Sequence, residues 1–443
     1  MIDRVDVHRA FTRVERMPFH PQRLHAGKAR HMKSIWRTIA PLAVPLIASL
    51  SSGAATAQVE YKVPALADFS GPFADLTKHL VARDAVVKWW NDNEGKKLGI
   101  KLTVKEYDTR YDGTVVASMW PGILSEMKPI IAMGLGGADQ AALQQRLARD
   151  KVPVVYAPPA YGYGWLPDQW VFGPRATYGH EYATALRWYI DQNPGKRPLR
   201  VGFLSTQASP AFVDIVNGLT HYIKTVLEPK GLATVSATEW VEIQPVDVSS
   251  QMKKLIDAKT DLLFGTANTT IAAAALRAQQ LHGSKIPSIA SPWHTIWPLA
   301  TAMKTYVPWE GHMVVTGLVS ITERDSKAFQ FYQVLAKNYG LPADWNPLNE
   351  LGISQGLLTV RAVEHAARKV GADKLTGEAV YDALVNGTFT DDEMMGFMSG
   401  FSFNKSAPFP TTGAKVKIET VKDGKYVLAT PDWLPVPTDL TKW

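Results

Sequence analysis

The chain has 443 residues and contains no cysteine. This absence excludes disulfide bonds, thiolate nucleophiles and metal sites built on cysteine. No Ser-His-Asp arrangement is evident, and no histidine pair has the spacing of a catalytic zinc motif. The residues therefore give no support to a hydrolase or a metalloenzyme, and we expect a protein that is not an enzyme and carries neither a cofactor nor a metal.

The chain also lacks an apolar run long enough for a membrane-spanning helix. Its most apolar stretch, Ile39–Leu50, is interrupted by two prolines, whereas a spanning helix needs about 20 apolar residues. Lys33 and Arg37 precede this stretch, and small residues ending at Ala57 follow it. This order predicts an export signal peptide over 32–57 that is cleaved after Ala57, so that the mature protein works in the periplasm.

Residues 1–31 are basic and have no clear periodicity. We interpret them as a mis-called leader, with translation beginning at Met32. An unusually long leader is the alternative interpretation. Sequencing the N-terminus of the precursor distinguishes the two.

Without residues 1–57, the chain has almost no excess charge. The full chain has a net charge of +7, but this segment holds nine of its 48 basic and three of its 41 acidic residues. The remaining 39 basic and 38 acidic residues give no reason to expect nucleic acid or an anionic membrane as a partner. The remaining 386 residues exceed what one hydrophobic core usually serves, so we expect two lobes.

Apolar runs of strand length alternate with segments of helical spacing along this mature chain. Such alternation is typical of parallel sheets covered by helices on both faces. Strands are predicted near 63–69, 101–107, 129–133, 152–156, 199–204, 234–241, 261–265 and 287–290. Helices are predicted near 73–91, 112–126, 139–150, 211–227, 247–258, 269–281, 326–339, 350–370 and 377–385. Two short strands around Asp423-Gly424 are expected near the end of the chain.

Several short motifs occur in an order that resembles one known family, the type I periplasmic solute-binding proteins of branched-chain amino-acid ABC transporters. The motifs are Ser70-Gly71-Pro72, Tyr107-Asp108 with Asp112, Met133-Gly134 with Asp139-Gln140, Lys151–Val155, Asp247–Met252 and Phe401–Asn404. The resemblance covers essentially the whole mature chain. It implies an α/β fold of two doubly wound lobes with parallel sheets, joined by a three-strand hinge. It also implies discontinuous lobes, which we expect to be 58–175 with 320–405 and 176–319 with 406–443.

The resemblance implies a ligand site at the loop that opens the helix after the third strand. In the family, backbone N–H groups there hold the carboxylate of the ligand, and a helix N-terminus favours an anion. The corresponding residues are Gly137, Ala138 and Asp139, and Leu76 on the first predicted helix is a further candidate. From the residues alone, an ordinary helix N-terminus with Asp139 as a first-turn carboxylate is the alternative.

The remaining candidate positions depart from the family pattern. Aromatic residues stand where the family has small polar residues or tyrosine, and no carboxylate stands where an acidic residue often pairs with an ammonium group. A buried ammonium without an acidic partner is costly. We therefore expect a carboxylate-bearing aromatic or hydrophobic ligand, with core packing as the alternative role of each aromatic. The candidate residues here are Pro159, Ala160, Tyr161, Phe212, Asn268, Trp293 and His294.

The resemblance implies an extracytoplasmic substrate-binding component of an ABC importer. Its partners would be a small solute and an inner-membrane permease, and we expect a monomer. A binder of branched-chain amino acids or amides is one alternative, and a periplasmic sensory module is another. The sequence leaves open whether Arg175 serves the hinge or the pocket.

Overall fold

The structure is a computed structural model that describes residues 58–74, 77–157, 168, 170–265, 268–292, 296–405, 410 and 412–443. The predicted leader and signal peptide, 1–57, lie outside the described residues. The part from Thr56 to Trp443 forms one compact unit. In the described part of the chain, no helix is both long and apolar enough to cross a membrane.

The first sheet is built from the first five strands, which run parallel in the order β2-β1-β3-β4-β5. The central strand, β3, is buried throughout, as expected for a sheet covered on both faces. The strands are β1 Val59–Ala67, β2 Ile100–Asp108, β3 Ala132–Gly134, β4 Val154–Tyr156 and β5 Val171–Phe172.

Four helices lie between these strands. The first continues through a π-helical turn, Asn91–Gly95, into a single short turn of helix, and the third contains Pro121. The helices are α1 Thr77–Trp90, α2 Lys96–Leu98, α3 Gly113–Met127 and α4 Gly137–Asp150.

The remaining strands form the second sheet and a small pair. Strands β6 to β10 are parallel, whereas β13 and β14 join the edge at β10 antiparallel, in the order β14-β13-β10-β9-β8-β6-β7. The strands are β6 Leu199–Thr206, β7 Ala233–Val241, β8 Leu262–Gly265, β9 Ser288–Ala290, β10 Met313–Thr316, β11 Thr388–Phe389, β12 Phe401–Ser402, β13 Lys415–Lys422, β14 Lys425–Leu428 and β15 Leu434–Pro435.

The later helices divide between the two sheets. Helices α5 to α9 accompany the second sheet, whereas α10 to α12 return to the first, where α11 packs along α1 and against β3 and β4. The helices are α5 Tyr178–Gln192, α6 Pro210–Tyr222, α7 Ser249–Asp257, α8 Thr269–Leu281, α9 Ile296–Met303, α10 Lys327–Asn338, α11 Pro347–Val370 and α12 Gly377–Asn386.

The chain thus has two doubly wound α/β lobes, which we call the first and second lobe after their sheets. It passes from one lobe to the other between β5 and α5, between β10 and α10, and between β12 and β13. The residue bounds given to the lobes above remain a proposal.

The sequence did not predict α5, α9 or β10. Helix α5 is buried on almost every side, from Tyr178 to Leu186 and again at Tyr189 and Ile190. A helix without a polar face gives no 3.6-residue alternation of apolar and polar residues, and this explains why its pattern was not recognised.

Candidate ligand-binding site

The loop that opens α4 lies at the carboxyl end of the central strand β3. Gly136 precedes the helix in an extended conformation, and Asp139 lies in its first turn. The Asp139 carboxylate is fully buried. It accepts a hydrogen bond from the Leu135 N–H at 2.8 Å and one from the Thr109 hydroxyl at 3.3 Å. These two hydrogen bonds hold the loop in place, and burial raises the pKa of Asp139 to about 6.

The same loop touches the second lobe. A Cβ atom on Gly137 would lie 2.4 Å from the Cβ of Ala211, in the first turn of α6. Only glycine permits this approach, because any side chain at 137 would force the two helix ends apart. The N-termini of α4 and α6 therefore face each other across the boundary between the lobes, which we call the seam.

Aromatic rings line the seam beside this contact. Phe73, from the loop after β1, lies edge-on to Tyr111, with their ring centroids 4.5 Å apart, and 6.2 Å from the ring of Phe212 on α6. The Asp68 carboxylate fixes this loop by accepting hydrogen bonds from the N–H groups of Gly71 and Phe73. The predicted residue Phe212 is thus at the seam, together with Phe73, which the sequence placed only on a helix face.

Tyr111 is a seam residue that the sequence analysis missed. It follows β2, and its hydroxyl lies 3.2 Å from the hydroxyl of Ser209 in the second lobe. Its ring covers the loop before α4, since a Cβ on Gly136 would lie 3.2 Å from the Tyr111 ring. No sequence signal singles out Tyr111, because the residues that it contacts are distant along the chain.

Asn268 caps the helix that follows β8. Its side-chain oxygen accepts a hydrogen bond from the Ile271 N–H at 2.9 Å, and its amide donates to the Ile243 carbonyl. Both ends of this side chain therefore have protein partners. A role for Asn268 in ligand binding remains a prediction.

Six of the predicted site residues lie outside the described part of the chain. They are Leu76, Pro159, Ala160, Tyr161, Trp293 and His294. Their contribution to a ligand site remains a prediction.

On the first-lobe side, Gln355 of α11 donates hydrogen bonds to the carbonyls of Gly134 and Val155, at 2.7 and 2.8 Å. The sequence did not indicate Gln355, which fixes the ends of β3 and β4 beside the loop.

We expected no Gly-x-Ser-x-Gly spacing of the kind typical of hydrolases, and this was wrong: one occurs at Gly352–Gly356, although it does not form a nucleophile turn. It lies within α11, where the Ser354 hydroxyl donates to the Leu351 carbonyl at 2.8 Å. A Cβ on Gly352 would lie 2.0 Å from the His79 carbonyl oxygen, so this glycine serves the close packing of α11 on α1. Among the described residues, no group of histidine, aspartate and glutamate side chains could hold a metal ion.

Comparison with known proteins shows the family and the fold of the chain. A family model described as periplasmic binding protein matches residues 60–420. A comparison with curated proteins found no significant match.

Three solved structures illustrate the similarity in fold. A branched-chain amino-acid ABC transporter protein from Thermus thermophilus, with bound valine, aligns at a TM-score of 0.72 and 17% identity over 86% of this chain and 98% of that one. A fatty acid ABC transporter substrate-binding protein from Thermomonospora curvata aligns at 0.70 and 18% over 86% and 93%. A solute-binding protein from R. palustris, in complex with 4-hydroxybenzoate, aligns at 0.65 and 14% over 87% and 99%. At these identities the likeness concerns the fold.

Proposed function

Because the chain belongs to the periplasmic binding protein family, we propose that it is the substrate-binding component of an ABC importer. Its two lobes would close over a small, carboxylate-bearing, aromatic or otherwise hydrophobic solute. Binding of this kind needs no chemistry, since a ligand that contacts both lobes stabilises the closed arrangement by its differential affinity.

The observation that carries this proposal is the seam itself. The N-termini of α4 and α6 meet there, and an N-terminus is the end of a helix that favours an anion. The rings of Phe73 and Phe212 stand beside the same point. An aromatic carboxylate matches both features, because its ring packs on aromatic faces and its charge is directed to the helix ends.

A standard α-amino acid matches this site less well. Its ammonium group needs a carboxylate partner, whereas the buried Asp139 already accepts hydrogen bonds from Leu135 and Thr109. An uncompensated buried ammonium would cost several kcal/mol.

The solutes named for the similar structures agree with a carboxylate ligand. Valine, fatty acids and 4-hydroxybenzoate all carry a carboxylate, although they differ in the rest of the molecule. The seam rings favour the aromatic or hydrophobic members of this range for the present chain. The same family role supports a periplasmic location and an inner-membrane permease as the partner. Cleavage of the signal peptide after Ala57 is part of the same proposal.

Two alternative functions that the sequence also suggests remain. A branched-chain amino-acid or amide binder would use the same seam with a different partner for the amine. A periplasmic sensory module would present its ligand to a membrane receptor rather than to a permease. A neighbouring permease gene supports the importer, and a neighbouring kinase gene supports the sensor.

Ligand-induced thermal stabilisation of the chain from Gln58 to Trp443 tests the solute class. The panel contains aromatic carboxylates, fatty acids, branched-chain amino acids, amides and urea. A solute at about 100 times its Kd adds roughly 2.7 kcal/mol to the free energy of unfolding. Stabilisation by aromatic carboxylates supports the proposal, and stabilisation by leucine or valine alone contradicts it.

A further inference from the structure

The side chain of Tyr111 is held at the seam by a turn of unusual backbone conformation. Arg110 and Tyr111 both have a φ of 55°, in the left-handed region that residues other than glycine rarely adopt. The turn is fixed at both ends, because the Thr109 N–H donates to the Ala67 carbonyl and the Asp112 N–H to the Thr109 carbonyl. Strained conformations of this kind persist where the surroundings impose them, and they cluster at functional sites.

The turn is also packed from outside. A Cβ on Gly71 would lie 2.5 Å from the Arg110 carbonyl oxygen, so glycine at 71 lets the loop after β1 close over it. The Tyr111 ring then packs edge-on against Phe73. Contacts within the first lobe therefore direct the Tyr111 ring and its hydroxyl toward the seam.

Ser209 is the partner of this hydroxyl in the second lobe. It occupies the N-cap position of α6, where a serine side chain usually accepts a hydrogen bond from its own helix. Its side chain makes no such capping bond, and its hydroxyl lies 3.2 Å from that of Tyr111 instead. Ser209 is buried, whereas Tyr111 is partly exposed, so the contact lies at the edge of the seam.

The Tyr111 hydroxyl also lies at the N-terminus of α4. A Cβ on Gly136, which precedes this helix, would lie 3.5 Å from the hydroxyl oxygen and 3.2 Å from the ring. The hydroxyl thus stands where the α4 N-terminus would favour a negatively charged oxygen. The Tyr111 side chain therefore lies next to the α4 N-terminus of the first lobe and next to Ser209 of the second lobe.

We propose that Tyr111 determines which solutes bind at this seam. Without solute, its hydroxyl bonds Ser209 across the lobes, a contact that we call the latch. When a solute binds, the hydroxyl donates its hydrogen bond to the solute carboxylate instead. This inference rests on the proposed function for the identity of the solute. The contact between the lobes does not depend on it.

The relative strength of the two hydrogen bonds decides whether the Tyr111 hydroxyl bonds Ser209 or the solute carboxylate. An O–H group that donates to a carboxylate forms a shorter and stronger bond than one that donates to another hydroxyl. Burial raises the pKa of Tyr111 far above its usual value, so the hydroxyl keeps its proton and remains a donor. A neutral solute of the same shape lacks the charged acceptor and gains no such advantage. Tyr111 therefore selects carboxylates over their amides.

Titration calorimetry with two matched probes, benzoate and benzamide, tests this selectivity on the chain from Gln58 to Trp443. We expect Tyr111→Phe to weaken benzoate binding about tenfold and to leave benzamide binding within about twofold. Ser209→Ala removes the competing partner, so we expect benzoate to bind a few-fold more tightly. Tyr107→Phe is the control, because its hydroxyl bonds Glu126 within the first lobe. Tighter benzoate binding by Tyr111→Phe would overturn the proposal, since the hydroxyl would then merely obstruct the helix end.

Small-angle scattering of the protein without added solute tests the latch separately. We expect Tyr111→Phe and Ser209→Ala to raise the radius of gyration equally, and the double variant to raise it no further. Unchanged or additive effects would overturn the latch. If benzoate binds to none of these proteins, the proposed solute class fails, and the scattering result still decides the latch.

Discussion

The guanidinium of Arg175 forms a fully buried ion pair with the carboxylate of Glu181. The other oxygen of this carboxylate accepts a hydrogen bond from the Gly317 N–H at 2.9 Å. Arg175 and Gly317 lie on two different crossings between the lobes, and a Cβ on Gly317 would lie 3.6 Å from the carbonyl of Lys415 at the third. The pair therefore joins the crossings, which assigns Arg175 to the hinge.

Glu181→Gln should destabilise the protein strongly, because it removes the carboxylate that forms an ion pair with the buried Arg175 charge. We expect a loss of about 3–5 kcal/mol in the free energy of unfolding, measured with urea. Asp439→Asn is the matched control, since its partner Arg187 is half exposed and such pairs contribute about 0–1 kcal/mol. Equal losses in the two variants would contradict the assignment of the pair to a buried hinge.

Gly137→Ala should hold the lobes apart. The added methyl group would meet the Cβ of Ala211 at 2.4 Å, so we expect a larger radius of gyration and weaker solute binding. Ala211→Gly in the same chain should restore both. Gly122→Ala on α3, where an added Cβ meets nothing within 4 Å, should change neither. A compact Gly137→Ala protein with normal binding would show that the seam contact does not limit closure.

Glu419 should make a contribution to stability that is lost as pH rises toward neutrality. Burial raises its pKa from 4.5 to about 7, while hydrogen bonds from Ser320 and Tyr426 act in the opposite direction. Glu419 then binds more protons in the folded protein than in the unfolded chain between pH 4.5 and 7, and its contribution to the unfolding free energy declines over that range by on the order of 3 kcal/mol. Burial and two other carboxylates also raise the pKa of nearby Glu350, which adds a decline of the same sign.

Glu419→Gln should remove its share of that decline. Urea unfolding at several pH values measures the difference, and Glu126→Gln serves as the control because Glu126 is exposed on α3. A slope unchanged by Glu419→Gln would mean that Glu419 is ionised in the folded protein throughout.

Much of the fold is predictable from local patterns. The bounds predicted for α8 are those observed, because a capping Asn268 precedes a run of helix-forming residues. The hairpin of β13 and β14 turns at Asp423-Gly424, where both residues have positive φ. Local chemistry sets these boundaries, and the sequence displays local chemistry directly.

The seam is far less predictable. Phe212 was identified only through the family resemblance, and Tyr111 was not identified at all. Its contact with Ser209 joins residues 98 positions apart, and it depends on a left-handed turn at residues that do not favour one. Tertiary packing creates this relationship, and no local pattern records it.

Phe212→Leu should weaken binding of aromatic carboxylates by about three- to tenfold, because it removes the ring and keeps most of the apolar volume. Phe331→Leu is the matched control, with the same 7% exposure but a position on α10 away from the seam. Isothermal titration with 4-hydroxybenzoate measures the affinity. Equal affinities of the wild type and Phe212→Leu would remove Phe212 from the ligand site.

The decisive experiment is titration calorimetry of the chain from Gln58 to Trp443 with benzoate, 4-hydroxybenzoate and leucine. We expect saturable binding of the aromatic carboxylates, with a negative heat-capacity change from burial of their rings. We expect no detectable binding of leucine under the same conditions. Saturable binding of leucine without any binding of the aromatic acids would contradict the proposed solute class.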